Sequence, residues 1–152
     1  MAEQGFELTR EFAASRERVW AEWTTPAAFA DWFGGTGFEV PVESVIMDVR
    51  PGGTWQATMY VGPDRVEKRW AGEYLEVSPP VRLVLTMTDD PATELRELVT
   101  VEILDLGDGR TRMRLEQRGG MTAAQYRAGR AGWDAFFDRM EQRLRSRRID
   151  PV

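Results

Sequence analysis

The chain predicts an α+β fold: one strand, two short helices, further antiparallel strands making about six to seven in all, and a long C-terminal helix. Two periodicities carry this. The large apolar residues Trp133, Phe136, Phe137, Met140 and Leu144 fall at i, i+3, i+4, i+7 and i+11, a single stripe of a helix with 3.6 residues per turn. From Phe38 to Gln117 the apolar residues instead recur every second position, the signal of half-buried strands. A helix with so broad a stripe needs an apolar surface to lie on, and the strands supply one.

Each element has its own local justification. Phe6, Leu8 and Phe12 alternate with Glu7, Thr9 and Glu11, a half-buried strand interrupted only by Arg10. Ser15 can cap a short helix carrying Val19, Trp20 and Trp23. Thr25-Pro26 opens a second, with a hydroxyl cap and proline at the first helical position, which holds Phe29, Trp32 and Phe33. Gly34-Gly35-Thr36-Gly37 stops that helix and reads as a mobile rim. Phe38 to Val49 reads as a strand pair or one kinked strand, with Pro41 demoting its first half. Pro51-Gly52-Gly53 turns the chain into a strand with Trp55, Ala57 and Met59 on one face. In Val66 to Val77, Trp70, Gly72 and Tyr74 share one parity and Ala71, Leu75 and Val77 the other, a conflict that predicts a bulge or two-sided burial. Leu83, Leu85 and Met87 alternate cleanly, as do Val99, Val101 and Ile103. Asp108-Gly109 then makes a hairpin signal into a strand presenting Thr111, Met113, Leu115 and Gln117. The final helix starts with a capping box, Thr122 and Gln125. It ends among Arg143, Arg145, Arg147 and Arg148, which complement the helix dipole on a solvated face. Gly129, Ala131 and Gly132 interrupt its middle and read as room left for something.

Composition bounds the function. The 152 residues, 42% apolar and 30% charged, predict a single globular domain over residues 1–152 that buries roughly 70% of its unfolded surface. The absence of an apolar run near 18 residues predicts no membrane span, and the polar start predicts no secretion signal, so a cytoplasmic location is expected. A net charge of −5 argues against nucleic-acid binding. With no cysteine, disulfide and thiolate chemistry are excluded; with no histidine, so are an imidazole base, the usual zinc ligands and a Ser-His-Asp triad. No paired-carboxylate or metal spacing is visible, so no metal, no cofactor and no catalytic residue is assigned.

Specific strings resemble the START-like (SRPBCC, Bet v-type) helix-grip superfamily, in the branch named after the C-terminal domain of the activator of the ninety-kilodalton heat-shock protein's ATPase. They are Val19-Trp20-Ala21-Glu22-Trp23-Thr24-Thr25-Pro26, Phe29-Ala30-Asp31-Trp32-Phe33, and Asp48-Val49-Arg50-Pro51-Gly52-Gly53-Thr54-Trp55. Gly72-Glu73-Tyr74-Leu75-Glu76-Val77, Pro79-Pro80, Arg82-Leu83, Val99-Thr100-Val101, Gly109-Arg110-Thr111 and Gly132-Trp133 follow in order over nearly the whole chain. The resemblance implies a curved antiparallel sheet wrapped around the long helix, with a cavity between them that opens near the two short helices and the strand loops. Such cavities hold lipids, hormones, polyketides or other hydrophobic molecules, and in some branches catalyse cyclisation or hydrolysis. Many relatives end the last strand with a histidine where this chain has Gln117.

The expected cavity residues are Trp32, Phe33, Trp55, Met59, Trp70, Tyr74, Met87, Gln117, Trp133 and Phe137. Six tryptophans are many for this length, and an indole suits a pocket wall. Gln117, Tyr74, Thr111 and Glu43 are the inward-parity polar groups that could orient a ligand. Three functions follow. The first is binding of a hydrophobic or aromatic small molecule, lipid- or polyketide-like. The second is a cyclase- or dehydratase-like enzyme in which Tyr74, Glu43 or Gln117 polarises a carbonyl, since orientation alone accelerates reactions. The third, implied only by the resemblance, is a module regulating a chaperone ATPase. It ranks last because the eukaryotic activator uses an additional N-terminal domain that this chain is expected to lack. An edge strand or helix face could also support a homodimer.

Overall fold

The computed structural model describes residues 4–90 and 92–147. Eight antiparallel strands form one curved sheet, of which two are only two residues long. The elements run β1 (Gln4–Phe12), α1 (Arg16–Thr24), α2 (Pro26–Trp32), β2 (Phe38–Glu39), β3 (Ile46–Met47), β4 (Thr54–Val61) and β5 (Val66–Ser78). Then come β6 (Arg82–Met87), β7 (Glu97–Gly107), β8 (Arg110–Gly119) and α3 (Ala123–Arg147). The strand order is β1-β8-β7-β6-β5-β4-β2, with β3 also on β4, so the first strand lies beside the last.

Local chemistry accounts for most boundaries. Asp108 and Gly109 both have positive φ, 56° and 72°, the conformation that a tight two-residue hairpin requires between β7 and β8. The Thr122–Gln125 capping box is formed: Gln125 N–H donates to Thr122 Oγ1 at 3.1 Å, and Thr122 N–H donates to Gln125 Oε1 at 2.8 Å. Ser15 Oγ accepts from Arg18 N–H, capping α1. Thr25 departs from expectation. Its side chain makes no capping bond, and Pro26 alone sets the start of α2. The stretch from Phe38 to Val49 is no continuous strand, because a single 3-10 turn at Val42–Ser44, just after Pro41, separates β2 from β3.

The parity conflict in β5 is a register shift between Tyr74 and Glu76 against β6. Next to it, Gly72 is obligatory: a Cβ there would stand 1.8 Å from the Thr86 carbonyl oxygen and 2.5 Å from Trp55 Nε1. That close approach lets the Trp55 indole donate to Thr86 O at 3.0 Å. Arg10, the polar break in β1, is partly buried and bonds to Asp134 and Glu141 on α3, both at 2.8 Å. With Asp138 also 3.0 Å away, three carboxylates on the helix make an inward arginine tolerable.

The core fills the concave face. Leu83, Leu85, Val99, Val101, Ile103, Met113 and Leu115 meet Phe137, Met140 and Leu144 of α3, each at most 5% exposed. Trp23, Phe29, Trp32 and Phe33 of the α1–α2 region form an aromatic cluster with Trp55, Trp133 and Phe137. Its ring centroids lie 4.6–6.4 Å apart, the range in which edge and offset contacts are favourable.

Candidate functional site

The sheet and α3 close completely only over the C-terminal half of the helix. Toward its N-terminal half they separate, leaving a cavity of ≈ 530 Å³. One wall is α3, with Gln125, Ala128, Gly129, Gly132, Trp133 and Phe136, preceded by Gly120 and Met121 of the β8–α3 link. The other comes from Lys68 and Trp70 of β5, Met87 at the end of β6, and Thr88, Asp89, Asp90, Thr93, Leu95 and Arg96 of the connection that follows. Glu97 of β7 and Gln117 of β8 also border it. This volume lies within the ~300–1,000 Å³ of ordinary small-molecule sites.

The inner end carries a chain of hydrogen bonds between buried groups. Trp133 Nε1–H donates to Gln117 Oε1 at 2.8 Å, and Gln117 Nε2–H donates to Glu97 Oε1 at 3.1 Å. Tyr126 O–H donates to the same Glu97 oxygen at 2.8 Å, while Gly120 N–H donates to Glu97 Oε2 at 3.2 Å. The Glu97 carboxyl fits here because Gly119 has no side chain; a Cβ on Gly119 would lie 2.0 Å from Glu97 Oε2. Glu97 and Gln117 are 9% and 5% exposed, so this satisfaction matters: a buried polar group left without partners is costly. The two α3 donors are thereby tied to β7 and β8, with the orientation of the Gln117 amide fixed by a partner at each end.

Elsewhere on the wall, Lys68 Nζ lies 5.0 Å from the Trp70 ring centroid and pairs with Asp89 at 3.2 Å. Trp70 Nε1–H is buried without a hydrogen-bond acceptor.

The ten expected residues divide into three groups. Trp70, Met87, Gln117 and Trp133 line the cavity. Phe33, Trp55 and Tyr74, with Met87 and Trp133 again, surround a separate apolar void of ≈ 10 Å³, too small and too dry to be a binding site. Trp32, Met59 and Phe137 border neither space and are at most 2% exposed. Burial, aided by the negative charge of Asp48, pushes the Tyr74 hydroxyl pKa well above its ordinary value, so Tyr74 stays protonated at neutral pH.

The other polar candidates lie elsewhere. Thr111 donates to Ala14 O at 2.7 Å and is fully buried, whereas Glu43 is exposed on the 3-10 turn. The glycine run at 34–37 does not line the cavity. Its lining comes from β5, the β6–β7 connection, the ends of β6, β7 and β8 and the first turns of α3, with no residue of the two short helices. Among the described residues no group of three acidic, histidine or cysteine side chains could hold a metal, and no helix is long and apolar enough to cross a membrane.

Glu97 and Tyr126 escaped the sequence reading. Glu97 shares the inward parity of Val99, Val101 and Ile103, and Tyr126 sits seven residues before Trp133 on the buried helix face. A carboxylate and a phenol on otherwise apolar stripes were the available signal.

A family model described as "Activator of Hsp90 ATPase homolog 1-like protein" matches residues 13–145. No curated protein matches the chain. Similar solved structures include protein CV1439 from Chromobacterium violaceum, with 24% identity and a TM-score of 0.82 over 92% of this chain and 96% of that one. Another is the AHSA1 (SPO3351) protein from Silicibacter pomeroyi, with 23% identity and a TM-score of 0.81 over 93% and 97% of the two chains. Protein NE0264 from Nitrosomonas europaea, 23% identical, gives a TM-score of 0.80 over 96% and 97%.

Proposed function

We propose, for a chain that belongs to the Activator of Hsp90 ATPase homolog 1-like family, that the space between sheet and helix binds a hydrophobic or aromatic small molecule. The observation that carries this reading is the ≈ 530 Å³ cavity itself, with Trp70, Met87, Trp133 and Phe136 on its walls and a hydrogen-bonded polar end. Apolar walls supply most of the affinity of such sites, and a few fixed polar groups set orientation.

A binding role suits the site better than a catalytic one. Of the three groups that could polarise a carbonyl, Tyr74 and Glu43 lie away from the cavity and Gln117 alone borders it. Two of its amide hydrogen-bonding positions are already engaged, with Trp133 and Glu97.

The test is a melting-temperature screen against lipids and aromatic metabolites, with tryptophan fluorescence read in parallel. A saturating ligand at about a hundred times its Kd adds roughly 2.7 kcal/mol of stability, a shift of several degrees. Trp70 and Trp133 emission should change with it. A broad screen giving no shift and no fluorescence change overturns the reading.

A further inference from the structure

The charge of that ligand can be narrowed from the residues around the cavity, an inference that rests on the binding reading above. Among the described residues two carboxylates are buried, Glu22 and Glu97. Glu22 is met by the Arg143 guanidinium at 2.8 Å, as a buried charge ordinarily requires. Glu97 has no such partner. Its three donors, the Gln117 amide, the Tyr126 hydroxyl and Gly120 N–H, are all neutral, and among the described residues no lysine or arginine pairs with it. They fill three of the roughly four acceptor positions of a carboxylate and cancel none of its charge.

The surroundings extend that charge into the cavity. Glu97 borders the space, and the Gln117 amide alone separates it from the Trp133 indole. Between apolar walls a charge acts over several ångströms, so a cation need not touch the carboxylate to be held by it. The other charges do not offset it. Lys68 pairs with Asp89, Arg96 donates to the Thr93 and Leu95 carbonyls, and Asp90 accepts from Ala92 N–H. Two cations against three carboxylates leave the lining one negative charge in excess. The walls suit a cation as well. Trp133 and Phe136, with ring centroids 5.7 Å apart, bring two π systems to the lining. Lys68 Nζ, 5.0 Å from the Trp70 ring centroid, is an ammonium already seated against this wall.

We propose that the ligand is an apolar molecule carrying one ammonium group, a hydrophobic amine. Glu97 is its counter-charge, the rings of Trp133 and Phe136 cover the ammonium, and its hydrocarbon body fills the rest of the cavity.

Three probes share one body and differ in charge: phenylbutylammonium, phenylbutanol and phenylbutanoate, each with ring and head group at opposite ends. Each is titrated calorimetrically at neutral pH into the wild-type chain, Glu97→Gln and Gly132→Leu. The wild-type series is repeated in about 0.05 M and about 0.5 M sodium chloride. The ammonium is expected to bind the wild type at least about tenfold more tightly than the alcohol, with the carboxylate weakest. Glu97→Gln, which keeps an acceptor oxygen, should bring the ammonium down to the alcohol's affinity and leave the alcohol's unchanged. The wild-type advantage should persist at the higher salt, because screening acts chiefly on exposed charges. Gly132→Leu should weaken all three, since its side chain enters the space they occupy.

Equal binding of ammonium and alcohol, tightest binding of the carboxylate, or an advantage that survives in Glu97→Gln overturns this inference and leaves the cavity-binding reading standing. So does an advantage that salt abolishes, which would assign the amine to the exposed Asp89 and Asp90. The salt series needs no variant, so it decides the matter even if Glu97→Gln does not fold. Loss of alcohol binding in a folded Glu97→Gln would make Glu97 a residue that shapes the site, and overturns the inference too. No binding by any of the three also overturns it, and the broader screen then judges the cavity alone. Ammonium binding that Gly132→Leu does not alter would locate the ligand outside the cavity and overturn both.

Discussion

Glu97 is the residue on which the polar end of the cavity depends. Three donors from β8, the β8–α3 link and α3 converge on its carboxyl group. Glu97→Leu removes the acceptor of all three, and losing buried partners costs about 1–3 kcal/mol apiece when they are not replaced. We expect urea denaturation to show a loss of at least about 3 kcal/mol, with Glu97→Gln losing clearly less because it keeps an acceptor oxygen; equal losses would mean that the carboxylate charge, rather than an acceptor at that place, is what matters. Gly132→Ala should do the opposite. With no neighbour to clash and glycine's helix penalty removed, stability should rise by about 0.5–1 kcal/mol, read from the same denaturation curves. A destabilised Gly132→Ala would mean that the helix face there is already filled. At this scale the sequence was partly legible. Parity identified Gln117, and helical spacing identified Trp133. The tryptophan excess was misleading, because Trp23, Trp32 and Trp55 find acceptors in Met113 Sδ, Glu22 O and Thr86 O and so serve the core. Which indoles meet partners and which meet space depends on contacts up to 90 residues apart, beyond any local pattern.

At the scale of elements, α3 behaves as two half-helices. Its C-terminal half is sealed by Phe137, Met140 and Leu144, and its N-terminal half lines the cavity. The sealed half is also fixed to the short helices by charge. Arg143 donates to Glu22 at 2.8 Å and to Asp31 at 2.5 Å, and Arg139 holds Asp31 at 2.9 Å. The expectation of a purely solvated arginine cluster therefore fails at Arg143, whose side chain is 14% exposed against a Glu22 only 4% exposed. No sequence signal could pair residues 121 positions apart. Arg143→Met leaves Glu22 buried without its cation and should cost about 3 kcal/mol; a loss below about 1 kcal/mol would show that Glu22 finds another partner.

Asp31 gives a pH dependence. Burial works to raise its pKa, but the bonds and charges of Arg139 and Arg143 outweigh that and hold it below the usual aspartate value. A depressed folded-state pKa stabilises the fold above the unfolded value of about 3.9, and that stability is lost as pH falls through the folded value. Asp31 is 41% exposed, so solvent screening limits the effect to roughly 0.5–1 kcal/mol. The wild type and Asp31→Asn should differ in stability by this amount near neutral pH and converge below about pH 4. A gap that persists in acid would assign the difference to packing instead.

For the molecule as a whole, the order of elements was legible because the strands and the last helix each keep one period: two through the sheet and 3.6 in the helix. Turn chemistry placed the hairpin at Asp108-Gly109, and the clash of parities in Val66 to Val77 offered a bulge as one of two readings, which the register shift between Tyr74 and Glu76 matches. The position of the cavity was not legible. It depends on where the curved sheet leaves the helix, and that divergence occurs at the helix's N-terminal turns and the β6–β7 connection, while the glycine run at 34–37 only packs behind Phe136 without lining the space. Gly129 and Gly132 were the one local sign of it, since they give up helix stability with no packing contact in return. The central claim is that this space is a binding site. Its most direct test is a crystal structure grown with a saturating hit from the melting-temperature screen. The account predicts ligand density enclosed by Trp70, Met87, Trp133 and Phe136. Ligand density on the outer face of the sheet, or Trp70 and Phe136 closed on each other with no space between, would contradict it.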